Sequence, residues 1–166
     1  MRRKRKPMQY VWWTLGILIG GLVLLGLFGK PLLKSMQARE AKRAFELFRA
    51  QREQLEAKFF DMASRLGKPR GLRWLACEWF EDVRCGRDRQ TGMLTAFVAV
   101  NLRFEAIEGG DMEDVEAVGT VRDAAALFHF KNGQWGTGGR ALFNLNPNDA
   151  IERMADQYEP VQVPSA

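Results

Sequence analysis

Residues 93–107 read MLTAFVAVNLRFEAI. In an extended chain, Ala96, Val98, Val100, Leu102 and Phe104 share one side. Asn101, Arg103 and Glu105 take the other. Alternation with a period of two marks a half-buried strand, and a lone strand has no partner for its backbone groups. This stretch therefore commits the chain to a sheet with one face on a core.

Upstream, GLRWLACEWFEDVRCGRD (71–88) alternates less regularly and reads as a neighbouring strand, joined through a turn at DRQTG (88–92). Downstream, VEAVGTVRDAAALFHF (115–130) reads as a third strand. Asn132–Gly133 is a strong hairpin signal, because both positions of a tight primed turn need positive φ. A fourth strand is expected from there to about Leu145. Its GTGG run (136–139) suits a bend or bulge, since a phosphate cradle would have to open a helix. Asn146-Pro147-Asn148-Asp149 supplies a cap, a proline at the first helical position and an acid in the first turn. A short helix is expected to follow, with residues 161–166 as a frayed tail.

Residues 32–66 carry the other period. Ala41, Ala44, Phe45, Phe48, Leu55, Phe59, Met62, Ala63 and Leu66 recur at helical spacing, with charged residues between them. Gly67 and Pro69 suit the end of that helix. The expected fold class is α+β: a long amphipathic helix on a four-stranded, curved antiparallel sheet, then a short helix.

The N-terminus sets a separate expectation. Arg2, Arg3, Lys4, Arg5 and Lys6 precede nineteen uncharged residues, Tyr10–Phe28. As a helix these extend roughly 28 Å, about one hydrocarbon core. Tyr10, Trp12, Trp13 and Lys30 suit the two interfaces, and the basic excess ahead of the run puts the N-terminus on the cytoplasmic side. The expected organisation is a basic tail (1–9), a transmembrane anchor (10–29), a stalk (30–40) and an extracytoplasmic domain (41–160). The expected location is the inner membrane. Five of the 25 basic residues lie in the first six positions, which leaves 20 against 20 acidic ones, so the remainder has no net pull toward nucleic acid.

No metal-ligand spacing and no nucleophile, Walker or dinucleotide motif occurs, so no cofactor and no enzyme activity are expected. The lone histidine, His129, reads as a partly buried strand residue. The acids from Glu105 to Glu116 read as a solvated connection. Cys77 and Cys85 lie eight positions apart on one expected strand, about 26 Å, well beyond disulfide reach. Phe59, Trp74, Phe104, Phe128 and Phe143 could line a cone between helix and sheet.

The order of a long helix, antiparallel strands and a short helix resembles the cystatin-like and NTF2-like superfamily. RFEAIEGGDMEDVEAVG and GRALFNLNP look like segments of uncharacterised bacterial membrane-anchored proteins. The resemblance implies an architecture and no activity. The expected function is a structural or protein-interaction module of the envelope. Its partners would be the bilayer and either another envelope protein or itself. The alternative is a small apolar-ligand-binding or weakly catalytic domain using the cone.

Overall fold

The computed structural model describes residues 8–66, 71–110, 112–113 and 119–163, without the side chains of 8–11, 19–32 and 66. Its elements are α1 (Met8–Ala50), α2 (Arg52–Leu66), β1 (Leu72–Asp88), β2 (Leu94–Ala106), β3 (Arg122–Lys131), β4 (Gln134–Gly136), β5 (Ala141–Phe143), α3 (Pro147–Arg153) and β6 (Tyr158–Val161). The chain divides into a unit ending at Arg39 and a unit from Glu40 to Ala166.

In the first unit, the expected transmembrane anchor is corrected. The apolar run is not a helix of its own, because α1 continues past Phe28 through charged residues. Among the described residues, no helix is long and apolar enough to cross a membrane. A crossing needs about twenty apolar residues in succession. The described side chains of α1 are Trp12–Leu18 and then those from Leu33 on, where charges are frequent. Trp12 and Trp13 are exposed. The side chains of Tyr10 and Lys30, and all of Arg2–Lys6, lie outside the described residues.

In the second unit the sheet is antiparallel, in the order β4-β3-β2-β1-β6, with β5 also on β3. It has six strands where four were expected, for two reasons. The fourth expected strand is two, since β4 pairs with residues 129–131 of β3 and β5 with residues 124–126. Between them the chain bulges at Thr137–Arg140. Thr137 Oγ1 donates to the Leu127 carbonyl, and the Leu127 N–H donates to the Arg140 carbonyl. Gly139 sits there at φ 69° under α2: a Cβ would lie 2.5 Å from Ala63 N. The bulge thus makes room for a helix backbone. The other added strand is β6, in the segment expected to end the last helix and fray. Tyr158, paired with Asp88, is buried with its side chain against Gly86, whose missing side chain admits it, and this pins residues 158–161 to the end of β1.

The 32–66 helix is also corrected. It breaks at Gln51, whose N–H is shared between the carbonyls of Leu47 and Phe48. Arg52 then turns out of the apolar stripe toward Glu56, Glu81 and the Phe80 carbonyl.

One face of the sheet carries Ala96, Val98, Val100, Leu102 and Phe104 of β2 with Ala124, Ala126 and Phe128 of β3. Onto it pack Ala41, Ala44, Phe45 and Phe48 of α1 and Leu55, Phe59 and Ala63 of α2. Trp135 donates from Nε1 to the Ala44 carbonyl at 2.6 Å, tying the β4 edge to α1. The opposite face buries Phe97, Ala125 and Leu127 against Ala150 and Ile151 of α3 and against Tyr158. Asn146 caps α3, its side chain accepting from Asp149 N at 2.9 Å. At the β3–β4 turn, Asn132 and Gly133 have φ of 53° and 78°, as a primed hairpin requires.

Candidate functional site

β1 is seventeen residues long, and β2 pairs with it from Leu72 to Arg87 except at Leu75 and at Phe80–Asp82. On its outer side, among the described residues, β6 pairs only with Cys85–Asp88. Among the described residues, no strand pairs with the outer side of β1 from Leu72 to Arg84. Two irregularities interrupt it, one between Trp74 and Ala76 and one between Trp79 and Val83. The second is guarded, because Arg52 donates to the Phe80 carbonyl and pairs with Glu81 at 2.8 Å.

Two large apolar side chains stand exposed on that stretch among the charged Arg73, Glu78, Glu81 and Asp82. Leu75 is 56% exposed and Phe80 41%. Beneath the edge, Glu53, Glu56, Ala57 and Phe60 of α2 meet Cys77 and Trp79 of β1 around a groove of about 390 Å³. The floor behaves as apolar. Burial, and secondarily the nearby Glu56 carboxylate, push the Cys77 thiol up to about 12, so it stays protonated. Burial also pushes Cys85 up to about 12. Both cysteines are free, on one long bulged strand, as their spacing predicted.

The expected aromatic cone is a packed core. Phe59 is fully buried, and its ring centroid lies 6.4 Å from Trp74, 5.3 Å from Trp79 and 5.8 Å from Phe128. Trp74 and Phe104 meet edge to face at 5.0 Å. Phe143 lies apart, partly exposed on β5, with its ring 6.0 Å from Phe104. The space between helix and sheet is thus occupied by the rings that were expected to line it.

Two polar groupings remain. His129 Nδ1 and Thr95 Oγ1 are 3.0 Å apart across β2 and β3. Burial, then Arg140, lower the His129 pKa, while Asp88 opposes them. A neutral imidazole accepting from Thr95 satisfies a fully buried hydroxyl, and that hydroxyl is sealed from any substrate. Asp88 organises the β1–β2 turn. It accepts from the N–H of Thr91 at 2.7 Å, the Gln157 amide, the Thr91 hydroxyl and the N–H of Gln90. These bonds, Thr91 N–H foremost, hold its carboxyl down to about 2. Of the acidic segment, Glu105 pairs with Arg73 and Glu113 accepts from Gly109 N. Asp111, Asp114 and Glu116 lie outside the described residues.

The open edge escaped the sequence reading, although a signal for it existed. Alternation in LACEWFEDV fails at the two irregularities, and Leu75 and Phe80 fall out of phase with the core-facing residues. No family model, curated protein or solved structure matches the chain.

Proposed function

We propose that the unit from Glu40 is a protein-interaction module that works through the outer edge of β1. The observation that carries this reading is the mismatch in length between β1 and β6. Among the described residues, β6 pairs with four of the seventeen residues of β1, and Leu75 and Phe80 are exposed on the rest of the strand. Open edges present unpaired backbone donors and acceptors, and proteins usually blunt them with charge, proline or a cover. Strand addition at such an edge is a common mode of recognition, with the backbone supplying affinity and alternate side chains supplying selectivity. The packed aromatic core weighs against the apolar-ligand alternative, since a ligand there would have to displace Phe59 or Phe128.

The test is photo-crosslinking in cells, with a photoreactive phenylalanine analogue in place of Leu75. Lys131, exposed at the far end of β3, serves as the control position. A discrete protein adduct from position 75 and none from 131 is expected. Indistinguishable adduct patterns from the two positions would sink the reading.

A further inference from the structure

Beside α3, on the face of the sheet away from α1 and α2, lies a cleft of about 330 Å³. Phe80 of β1, Asn101 of β2, Asp123 of β3 and the group Asn144, Asn146 and Asp149 at the start of α3 line it. We propose that this cleft binds a neutral saccharide. The Phe80 ring would lie against one face of a pyranose, with Asn101, Asp123 and Asn144 on its hydroxyls. The proposal is separate from the interaction reading above and does not depend on what meets the outer side of β1.

The fold brings these side chains together from five parts of the chain. Asn101 and Asp123 are register partners on β2 and β3. Val100 and Leu102 pack toward the helices, so Asn101 between them faces the other way. Asn144, at φ 56°, is tied to the same place because its N–H donates to the Asp123 carbonyl at 2.7 Å. Asn146 and Asp149 hold each other: Asn146 Nδ2 donates to Asp149 Oδ2 at 2.7 Å, and Asp149 N donates to Asn146 Oδ1 at 2.9 Å. Phe80 comes from the irregularity of β1 at residues 80–82. Its carbonyl is held by Arg52, and the residue is still 41% exposed. The ring is thus a positioned aromatic surface on one side of a polar cleft.

A sugar is the class of ligand that these groups fit. The C–H bonds on one face of a pyranose are apolar and weakly positive, and they pack well on the negative face of an aromatic ring. Asp123 can only accept hydrogen bonds, whereas each asparagine amide both donates and accepts. Adjacent sugar hydroxyls do both, so they can satisfy the whole set. Among the described residues, the side chains of Asn101, Asp123 and Asn144 have no partner within the chain, and a ligand would displace only water from them. No lysine or arginine lines the cleft, and Asp123 and Asp149 repel phosphates and carboxylates. A bare cation would engage the carboxylates but leave the amide N–H groups and the ring unused. The volume lies at the small end of the roughly 300–1,000 Å³ usual for small-molecule sites.

The experiment is calorimetric titration of the purified full chain with cellobiose, lactose and di-N-acetylchitobiose, each separately, and with calcium chloride. At least one sugar should bind with a dissociation constant of about 1 mM or tighter. Phe80→Ala and Asp123→Ala should each weaken that binding at least about tenfold, through loss of the ring contact and of a charged hydrogen bond. Phe80→Tyr keeps the ring and should stay within about threefold of the unmodified chain. Glu159→Ala, on β6 outside the cleft, should change nothing. Phe80 and Asp123 are both exposed, so melting curves matching the unmodified chain should accompany the losses. No heat from any of the three sugars would overturn the proposal. So would sugar binding indifferent to Phe80→Ala and Asp123→Ala, equal losses in Phe80→Ala and Phe80→Tyr, or calcium binding that needs Asp123 without any sugar binding.

Discussion

Replacing Gly139 by alanine should destabilise the Glu40–Ala166 unit far more than the same change at Gly133. Both glycines have positive φ, 69° and 78°. An added Cβ therefore costs about 1–2 kcal/mol of backbone strain at either site. At Gly133 that is the whole cost, because nothing lies within 4 Å of the new atom. At Gly139 the new atom would lie 2.5 Å from Ala63 N, 2.8 Å from Met62 C and 2.9 Å from Ala63 Cα. These are backbone atoms in the middle of a helical turn and cannot rotate away. Either α2 lifts off the sheet or the Thr137–Arg140 bulge moves outward. Overpacking of this kind adds about 1–3 kcal/mol, for a total of about 2–5 kcal/mol. For a unit of this size, each kcal/mol lowers the melting temperature by roughly 4 °C. Thermal unfolding followed by circular dichroism should then drop by roughly 8–20 °C for Gly139→Ala and by roughly 4–8 °C for Gly133→Ala. Equal drops would refute the account of the bulge as the seat of α2.

Phe59→Ala should cost about 3–5 kcal/mol in urea unfolding, because the ring fills the space among Trp74, Trp79 and Phe128; a loss below about 1 kcal/mol would mean that the cone is not packed. Asp88 should contribute acid sensitivity. Its folded pKa, about 2, lies below the unfolded value near 3.9, so its stabilising effect is complete above about pH 4 and disappears as pH falls toward 2. Asp88→Ala should therefore flatten the acid limb of the stability curve, and an unchanged limb would contradict the turn network. Both thiols should label slowly in the folded protein at pH 8, and two should label at once in denaturant without reductant. Fewer than two in denaturant would mean that a cysteine is already bonded.

Local physics made part of the molecule legible in the chain. The alternation of 96–104, the Asn132–Gly133 turn and the capped start at Asn146 each rest on residues close in sequence. Their chemistry allows few backbone conformations, and each appears in the structure as read. The helical stripe from Ala41 to Ala63 also packs as its period implies. Three things depended on partners distant in sequence. The break at Gln51 goes with an Arg52 side chain that reaches β1. The division of β4 from β5 needs α2 pressing on Gly139, 76 residues after Ala63. The strand at Tyr158–Val161 needs the hollow at Gly86, which no local pattern around Pro160 announces. The open edge belongs with these. Whether a strand is interior or terminal is a property of the assembled sheet, and among the described residues the four-residue β6 reaches only the Cys85–Asp88 end of β1. Periodicity in a sequence fixes which way side chains face, whereas the order of strands is decided by which surfaces bury best together once the chain has folded.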